Sequence, residues 1–209
     1  MPHSIPQNLF VTGTDTGVGK TLVSAVLTAG LKAEYWKPVQ SGLTDLTDLE
    51  WVKKKTGLPD THFHRETYRL KTPLSPHASA AQEGVKIKMN AFNVPERRLS
   101  RHLIIEGAGG VMVPLNDSEF MVDLMYKIRA PVLLVASSGL GTINHTLLSL
   151  DQLRRKGLQV YGVVMNGPKN PSNREAVEHY GRVSVCAEIE PLEEINAGTL
   201  RQVFDRNFL

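Results

Sequence analysis

The run Gly13-Thr14-Asp15-Thr16-Gly17-Val18-Gly19-Lys20-Thr21 follows the apolar segment Leu9-Phe10-Val11 and opens a helical pattern over Thr21 to Leu31. No other stretch constrains the fold as tightly. Closely spaced glycines let the backbone turn so that consecutive N–H groups converge, and a helix starting there adds the positive end of its dipole. The result is an anion-binding turn between a strand and a helix. The ending Gly-Lys-Thr narrows the anion to phosphate. Lys20 is placed for the β- and γ-phosphates of a nucleotide, and the Thr21 hydroxyl for magnesium. Thr14 stands where the strict pattern has its first glycine, and Gly13 lies one residue earlier.

Further apolar runs at Tyr35-Trp36, Leu103-Ile104-Ile105, Val132 to Ala136 and Val160 to Met165 read as strands. Their nearly unbroken apolar character is that of parallel strands covered on both faces. Between them Thr47 to Lys55, Phe120 to Ile128, Asn144 to Lys156 and Ser172 to Tyr180 read as helices. The third of these carries Leu147, Leu148, Leu150 and Leu153, then Arg154, Arg155 and Lys156 before Gly157, a basic last turn with a glycine stop. Strand–helix alternation predicts an α/β protein with a doubly wound, mainly parallel sheet and helices on both faces. A length of 209 residues suits one such domain, 1–209. Lys71 to Pro95 is the least regular stretch and is expected as loop and short helix over a sheet edge, with Ser75-Pro76-His77 a loop.

Composition excludes several classes. With 24 Lys+Arg against 21 Asp+Glu the net charge is only +3, and no dense basic run is interleaved with aromatics, so no nucleic-acid partner is expected. No apolar run is long enough to span a bilayer, and no leader pattern is visible at Met1-Pro2-His3-Ser4, so no membrane association is expected. The single cysteine, Cys186, rules out an internal disulfide; it sits in an apolar-small run and reads as core. A cytoplasmic location is the expectation. His62 and His64 read as surface loop, not metal ligands.

Four more segments bear on chemistry. Lys37-Pro38-Val39-Gln40-Ser41-Gly42 puts a lysine at a strand's carboxyl end, where sheets of this type bind ligands, although the spacing alone also suits a solvated lysine. Glu106-Gly107-Ala108-Gly109-Gly110 ends an apolar strand with an acid, either a magnesium-side Walker B carboxylate or a cap on the glycine turn. Gly139-Leu140-Gly141-Thr142-Ile143-Asn144-His145 is either a second anion nest or simple helix capping by Thr142 or Asn144. Thr47-Asp48-Leu49-Glu50 is a capping box in which Asp48 also favours the helix dipole.

Taken in order, the loop at Gly13 to Thr21, Lys37-Pro38-Val39 with Ser41-Gly42, Ser75-Pro76-His77, Glu106 to Gly110, and Gly141 with Ile143-Asn144-His145 resemble the dethiobiotin synthetase family over nearly the whole chain. The resemblance implies an ATP-dependent cyclo-ligase that joins 7,8-diaminopelargonate and carbon dioxide into dethiobiotin, with ADP and phosphate released. A carbamate and a carbamic–phosphoric anhydride would be the intermediates. It implies catalytic roles for Lys37, Lys20 and Thr16, Lys37 acting beside the carbamate as an electrostatic stabiliser. It places the nucleotide on Gly17, Val18, Gly19, Lys20, Thr21, Leu22, Asp48, Glu106, Gly107, Ala108 and Gly109. Magnesium (Mg2+) would be shared by Thr21, Glu106 and an acid opening the second helix, where Asp48 fits better than Asp45. The substrate would meet Thr16, Lys37 and Ser41, and its carboxylate the Gly141, Thr142, Ile143 and Asn144 turn of a partner subunit, so a homodimer with sites near the interface is implied. The base would lie by Asn166 and Gly167, where family members often have Asn-Asp, and by Glu190, Pro191 and Leu192. The connection from Ser41 to Asp48 is short. The competing class is a P-loop switch or partitioning ATPase that carboxylates no metabolite; such proteins commonly keep a lysine where Asp15 stands here.

Overall fold

The computed structural model describes residues 4–96, 98 and 100–209. The chain opens with β1 (Asn8–Gly13), the phosphate turn, and α1 (Lys20–Leu31). β2 (Glu34–Trp36), β3 (Val39–Ser41), α2 (Asp48–Thr56), β4 (Phe63–His64), β5 (Tyr68–Leu70) and α3 (Pro76–Gln82) follow. The second half runs β6 (Leu103–Gly110), α4 (Met121–Ile128), β7 (Val132–Ser137), α5 (Thr142–Arg155), β8 (Val160–Asn166), α6 (Pro171–Gly181), β9 (Val185–Ile189) and α7 (Ala197–Phe208).

Seven strands form one sheet in the order β4-β2-β6-β1-β7-β8-β9, and β3 pairs with β5 in a small second sheet. Every strand pairing in both is parallel. The apolar strands expected from sequence are therefore the sheet's interior. Leu9, Phe10, Val11, Leu103, Ile104, Ile105 and Val132 to Ala136 are all without exposed surface. Burying one such side chain contributes about 1.5–3 kcal/mol, which is why the centre of the sheet needs no polar cross-links.

Alternation along each strand divides this core into two layers. Leu9, Val11, Tyr35, Ile104, Leu133 and Val135 face α1, α2 and α7. Phe10, Trp36, Leu103, Ile105 and Leu134 pack on the other side with Met121, Leu124 and Met125 of α4 and Leu150 and Leu153 of α5. α7 closes the first layer by packing on α1 so tightly that a Cβ on Gly30 would meet the Phe204 ring at 2.0 Å. No helix among the described residues is long and apolar enough to cross a membrane.

Several expectations need correction. His62 is not surface loop: it is 5% exposed, in a 3-10 turn, with its Nδ1 2.9 Å from the Ala33 carbonyl. His64 belongs to edge strand β4, its Nε2 2.6 Å from Glu34. Each imidazole has a hydrogen-bond partner elsewhere in the fold. Ser75-Pro76-His77 begins α3, with Pro76 in the first turn where its missing N–H is harmless. α5 starts at Thr142, two residues before the expected Asn144, because Gly141 takes the left-handed conformation (φ 89°) that starts it. Leu148 on that helix is exposed and does not face the core. Cys186 is half-buried in β9, its thiol donating to the Val163 carbonyl at 3.3 Å.

Candidate active site

Strands β2, β6 and β1 are neighbours, so their carboxyl ends bring Lys37, Glu106 and the phosphate turn to one place. This is the crevice outside the strand ends where the sheet order reverses. The alternation that buries Tyr35 and Ile104 under α1 also turns Lys37 and Glu106, two residues further on, toward α1. A cavity of about 510 Å³ opens there, walled by the phosphate turn on one side and by Pro73, Leu74, Ser75 and Pro76 on another.

The phosphate turn itself is held by backbone geometry. Gly17 and Gly19 have φ of 78° and 98°, which only glycine adopts without strain. A Cβ at Gly19 would also meet Asn166 Nδ2 at 2.2 Å. Asn166 donates that amide to the Val18 carbonyl at 3.1 Å, tying β8 to the turn. Thr14 donates its N–H to Val135 at 2.9 Å, and Asp15 accepts the Thr16 N–H at 2.6 Å. Lys20 folds back over the turn and donates to the Asp15 carbonyl at 2.8 Å. Burial, then the nearby Lys37 charge, lowers the Lys20 ammonium to a pKa of about 8. It is thus poorly compensated until an anion arrives.

Around Lys37 the charges are paired. Its Nζ lies 2.6 Å from Asp48 Oδ2 and 2.9 Å from Glu106 Oε1. Burial pulls its pKa down, but Glu106 and Asp48 outweigh that and hold it above the ordinary lysine value. Lys37 is therefore a fixed cation, not a nucleophilic amine. Burial pushes Asp48 up, but Lys37 and the Thr21 hydroxyl hold it below the usual carboxylate range. Thr21 Oγ1 is 2.9 Å from both Asp48 Oδ1 and Glu106 Oε1. Asp48 reaches this position because the Thr47–Glu50 capping box starts α2 there, and Gln40 Oε1 accepts the Asp48 N–H at 3.3 Å. Asp45 is in the exposed part of the connection.

Glu106 has no exposed surface, and its second oxygen, Oε2, accepts the Tyr35 hydroxyl at 2.9 Å. Burial first, and Glu106 second, raises the Tyr35 phenol well above its ordinary pKa, so it stays protonated. Thr21, Asp48 and Glu106 thus gather a hydroxyl and two carboxylates. Among the described residues no group of three or more His, Cys, Asp or Glu side chains is suited to hold a metal by itself. Two carboxylates and a hydroxyl beside a phosphate turn instead fit magnesium, which keeps waters and phosphate oxygens in its shell.

Of the other sequence candidates, Thr16, Gly17, Gly19, Ser41, Ala108 and Gly109 line the cavity. Ser41 Oγ is buried without a hydrogen-bond partner among the described residues. Val18 is buried behind the turn, Leu22 packs half-buried from α1, and Gly107 sits against the Phe10 ring. Asn166 ends β8 beside Ile189, and the N–H of Gly167 just after it donates to the Ile189 carbonyl at 2.9 Å. Glu190, Pro191 and Leu192 border a separate groove along β9. The Gly141–Asn144 turn lines no part of this chain's cavity: Gly141 and Asn144 are exposed, Leu140 stands fully in solvent, and the buried Thr142 hydroxyl donates to the Ser137 carbonyl at 2.5 Å. Sequence reasoning missed Tyr35, Gln40 and the Pro73–Leu74 wall. Tyr35 reaches Glu106 through strand register and Gln40 reaches Asp48 across a loop, and local sequence displays neither.

A parallel sheet with a glycine-built phosphate turn after its central strand, facing an acid at the end of the adjacent strand, defines a P-loop nucleotide-binding protein. The comparisons agree. A family described as AAA domain matches residues 7–199. A ParA family ATPase from Chlorobium tepidum superposes with TM-score 0.54 at 12% identity, covering 97% of this chain and 90% of that one. The MinC:MinD complex of Aquifex aeolicus gives 0.52 at 14%, covering 94% and 86%. At such identities these establish the fold alone. The ATP-dependent dethiobiotin synthetase of Paramagnetospirillum magneticum is 49% identical over 93% of each chain. That of Rhodopseudomonas palustris is 44% identical over 96% of this chain and 93% of its own. A biotin biosynthesis bifunctional protein of Bordetella avium is 47% identical over 92% of this chain and 41% of its own. The chain belongs to the ATP-dependent dethiobiotin synthetase family.

Proposed function

We propose that this cavity carries out the ring closure of the family. 7,8-Diaminopelargonate, carbon dioxide and ATP give dethiobiotin, ADP and phosphate. One amine of the diamine adds to carbon dioxide and loses a proton, giving a carbamate. The carbamate oxygen attacks the γ-phosphorus, and ADP leaves. The second amine then attacks the anhydride carbonyl, closing the cyclic urea and expelling phosphate.

The observation that carries this reading is the position of Lys37. A 4%-exposed ammonium, held cationic by Asp48 and Glu106, stands between the phosphate turn and the substrate side of the cavity. Carbamate and triphosphate are both anionic, and a preorganised cation between them offsets the repulsion of in-line transfer. Lys20 serves the β- and γ-phosphates, and the convergent N–H groups of Gly17 to Thr21 cradle them. Thr21, Asp48 and Glu106 would hold magnesium, which when bound neutralises the phosphate oxygens. Ser41, whose hydroxyl lacks a partner among the described residues, is suited to an amine or carbamate oxygen. Thr16 is exposed and lines the cavity beside the phosphate turn, where it would meet both phosphate and substrate. The base would rest near Asn166, Gly167 and the Glu190-Pro191-Leu192 segment.

The exposed Gly141 and Asn144 of the Gly141–Asn144 turn, with Leu140 and Leu148 uncovered beside them, support a homodimer in which this turn meets the substrate carboxylate in the partner's site. One free cysteine and an active site built for soluble metabolites suit the cytoplasm. The test is phosphate release. Release should require both diaminopelargonate and bicarbonate, with a cyclic urea found by mass spectrometry. Equal ATP hydrolysis without the diamine would overturn the reading in favour of a switch ATPase.

A further inference from the structure

Thr21, Lys37 and Asp48 all belong to the phosphate and metal chemistry. Tyr35 does not, yet its hydroxyl is 2.9 Å from Glu106 Oε2. The phenol is completely buried in the layer under α1, its ring tilted against Phe63 at 6.4 Å between centroids. Register explains the reach. Tyr35 pairs with Ile104 across β2 and β6, so it projects on the face that Glu106 also uses two residues further along β6.

A glutamate side chain has a soft final torsion, and its two oxygens exchange places by rotation about it. In a buried site that rotation is resisted by the surrounding packing and by hydrogen bonds. Here the two oxygens are divided. Oε1 accepts Thr21 and Lys37, each at 2.9 Å, and faces the cavity, whereas Oε2 accepts the phenol on the core side. Without the phenol, Oε2 would be a buried anionic oxygen lacking a donor, and the carboxylate would gain by turning it toward Lys37 or Thr21. We propose that Tyr35 is a positioning residue of the nucleotide–metal site: its hydroxyl fixes Glu106 so that Oε1 is presented beside Thr21, Asp48 and Lys37. This rests on the reading of Glu106 as a magnesium-side acid. Carboxylates that hold metals are commonly oriented by such outer hydrogen bonds, and losing one weakens metal binding by about 10–100-fold.

The experiment titrates Mn2+ into the full-length enzyme with ADP and follows free Mn2+ by electron paramagnetic resonance. Tyr35→Phe, which removes only the hydroxyl, should weaken Mn2+ binding about tenfold or more while ADP affinity in excess chelator is unchanged. A lowered thermal midpoint with unchanged Mn2+ affinity marks a structural role only and overturns the proposal. Glu106→Gln alone should weaken Mn2+ binding; if it does not, the metal reading of Glu106 fails, whatever Tyr35→Phe does. In the Glu106→Gln background, adding Tyr35→Phe should change nothing further, because the two act through one carboxylate. A further loss there overturns the proposal. The double variant leaves no buried carboxylate unsatisfied, so this comparison stands even where Tyr35→Phe alone folds poorly.

Discussion

Lys37 and Asp48 form an ion pair at 2.6 Å although ten residues and the whole of β3 lie between them, and the same ammonium also serves Glu106. The site thus holds its own counter-cation before any nucleotide binds. Lys37→Gln removes it and leaves Glu106, which has no exposed surface, facing Asp48 with no ammonium between them. Breaking a buried pair this way costs roughly 3 kcal/mol, the lower part of the usual range because Asp48 keeps some solvent contact. The nucleotide-free variant should therefore melt earlier in a thermal unfolding scan, and a magnesium–nucleotide complex should restore most of the loss. Turnover should fall on the order of 10²-fold or more, as when other preorganised donors are removed, with ATP affinity nearly intact. Unchanged turnover removes Lys37 from the mechanism.

The two glycines of the phosphate turn should respond differently to one methyl group. At Gly17 (φ 78°) an added Cβ meets nothing within 4 Å, so Gly17→Ala carries only the left-handed backbone penalty of about 1–2 kcal/mol. At Gly19 (φ 98°) the same atom would lie 2.2 Å from Asn166 Nδ2, so the Asn166 side chain or the turn must shift. Gly19→Ala should abolish nucleotide binding in calorimetry, while Gly17→Ala keeps measurable affinity. Asn166→Ala should partly rescue Gly19→Ala, and equal damage from both glycine variants would show that strain, not the clash, dominates.

Five of the nine strands among the described residues were legible in sequence because they sit inside the sheet, where both faces are apolar and composition alone betrays them. The phosphate turn was legible because its chemistry is local. What was missed is what long-range pairing creates. β3 and β5 are three residues each and exist through their mutual register, and β4 is two residues containing a histidine. β9 is an edge strand whose Val185, Ala187 and Ile189 point inward, but Cys186 and Glu188 between them blur the contrast. His62 looked like a surface residue because its partner, the Ala33 carbonyl, is supplied by a distant loop. The same limit hid Tyr35: nothing near it in sequence announces that Glu106 lies two positions up the neighbouring strand.

Cys186 gives a solvent-side check on β9. Burial pushes its thiol up to about 12, and the Sγ donates to Val163. A raised value favours the protonated form, so reactivity is low at neutral pH and grows only as pH climbs toward it. At pH 8 roughly one part in ten thousand is thiolate, and the native enzyme should resist thiol-specific reagents for hours. In denaturant one equivalent should react promptly. Rapid labelling of the native form would show that β9 opens readily.

Gln40 closes the loop that brings Asp48 to the phosphates. Its side chain is 6% exposed and makes three contacts: Nε2 donates to the Ser41 and Gly42 carbonyls at 3.1 and 3.3 Å, and Oε1 accepts the Asp48 N–H at 3.3 Å. These bonds staple the end of β3 to the first residue of α2, across a connection too short to form regular structure of its own. Gln40→Leu keeps the volume but removes the acceptor for the Asp48 N–H and both donors. A buried group left without its partner costs about 1–3 kcal/mol, and here the loss falls on the position of one carboxylate and not on the core. The magnesium–ATP KM should therefore rise several-fold while the thermal midpoint moves little, and raising free magnesium should recover part of the rate. If KM is unchanged, the Thr47–Glu50 capping box alone is enough to place Asp48.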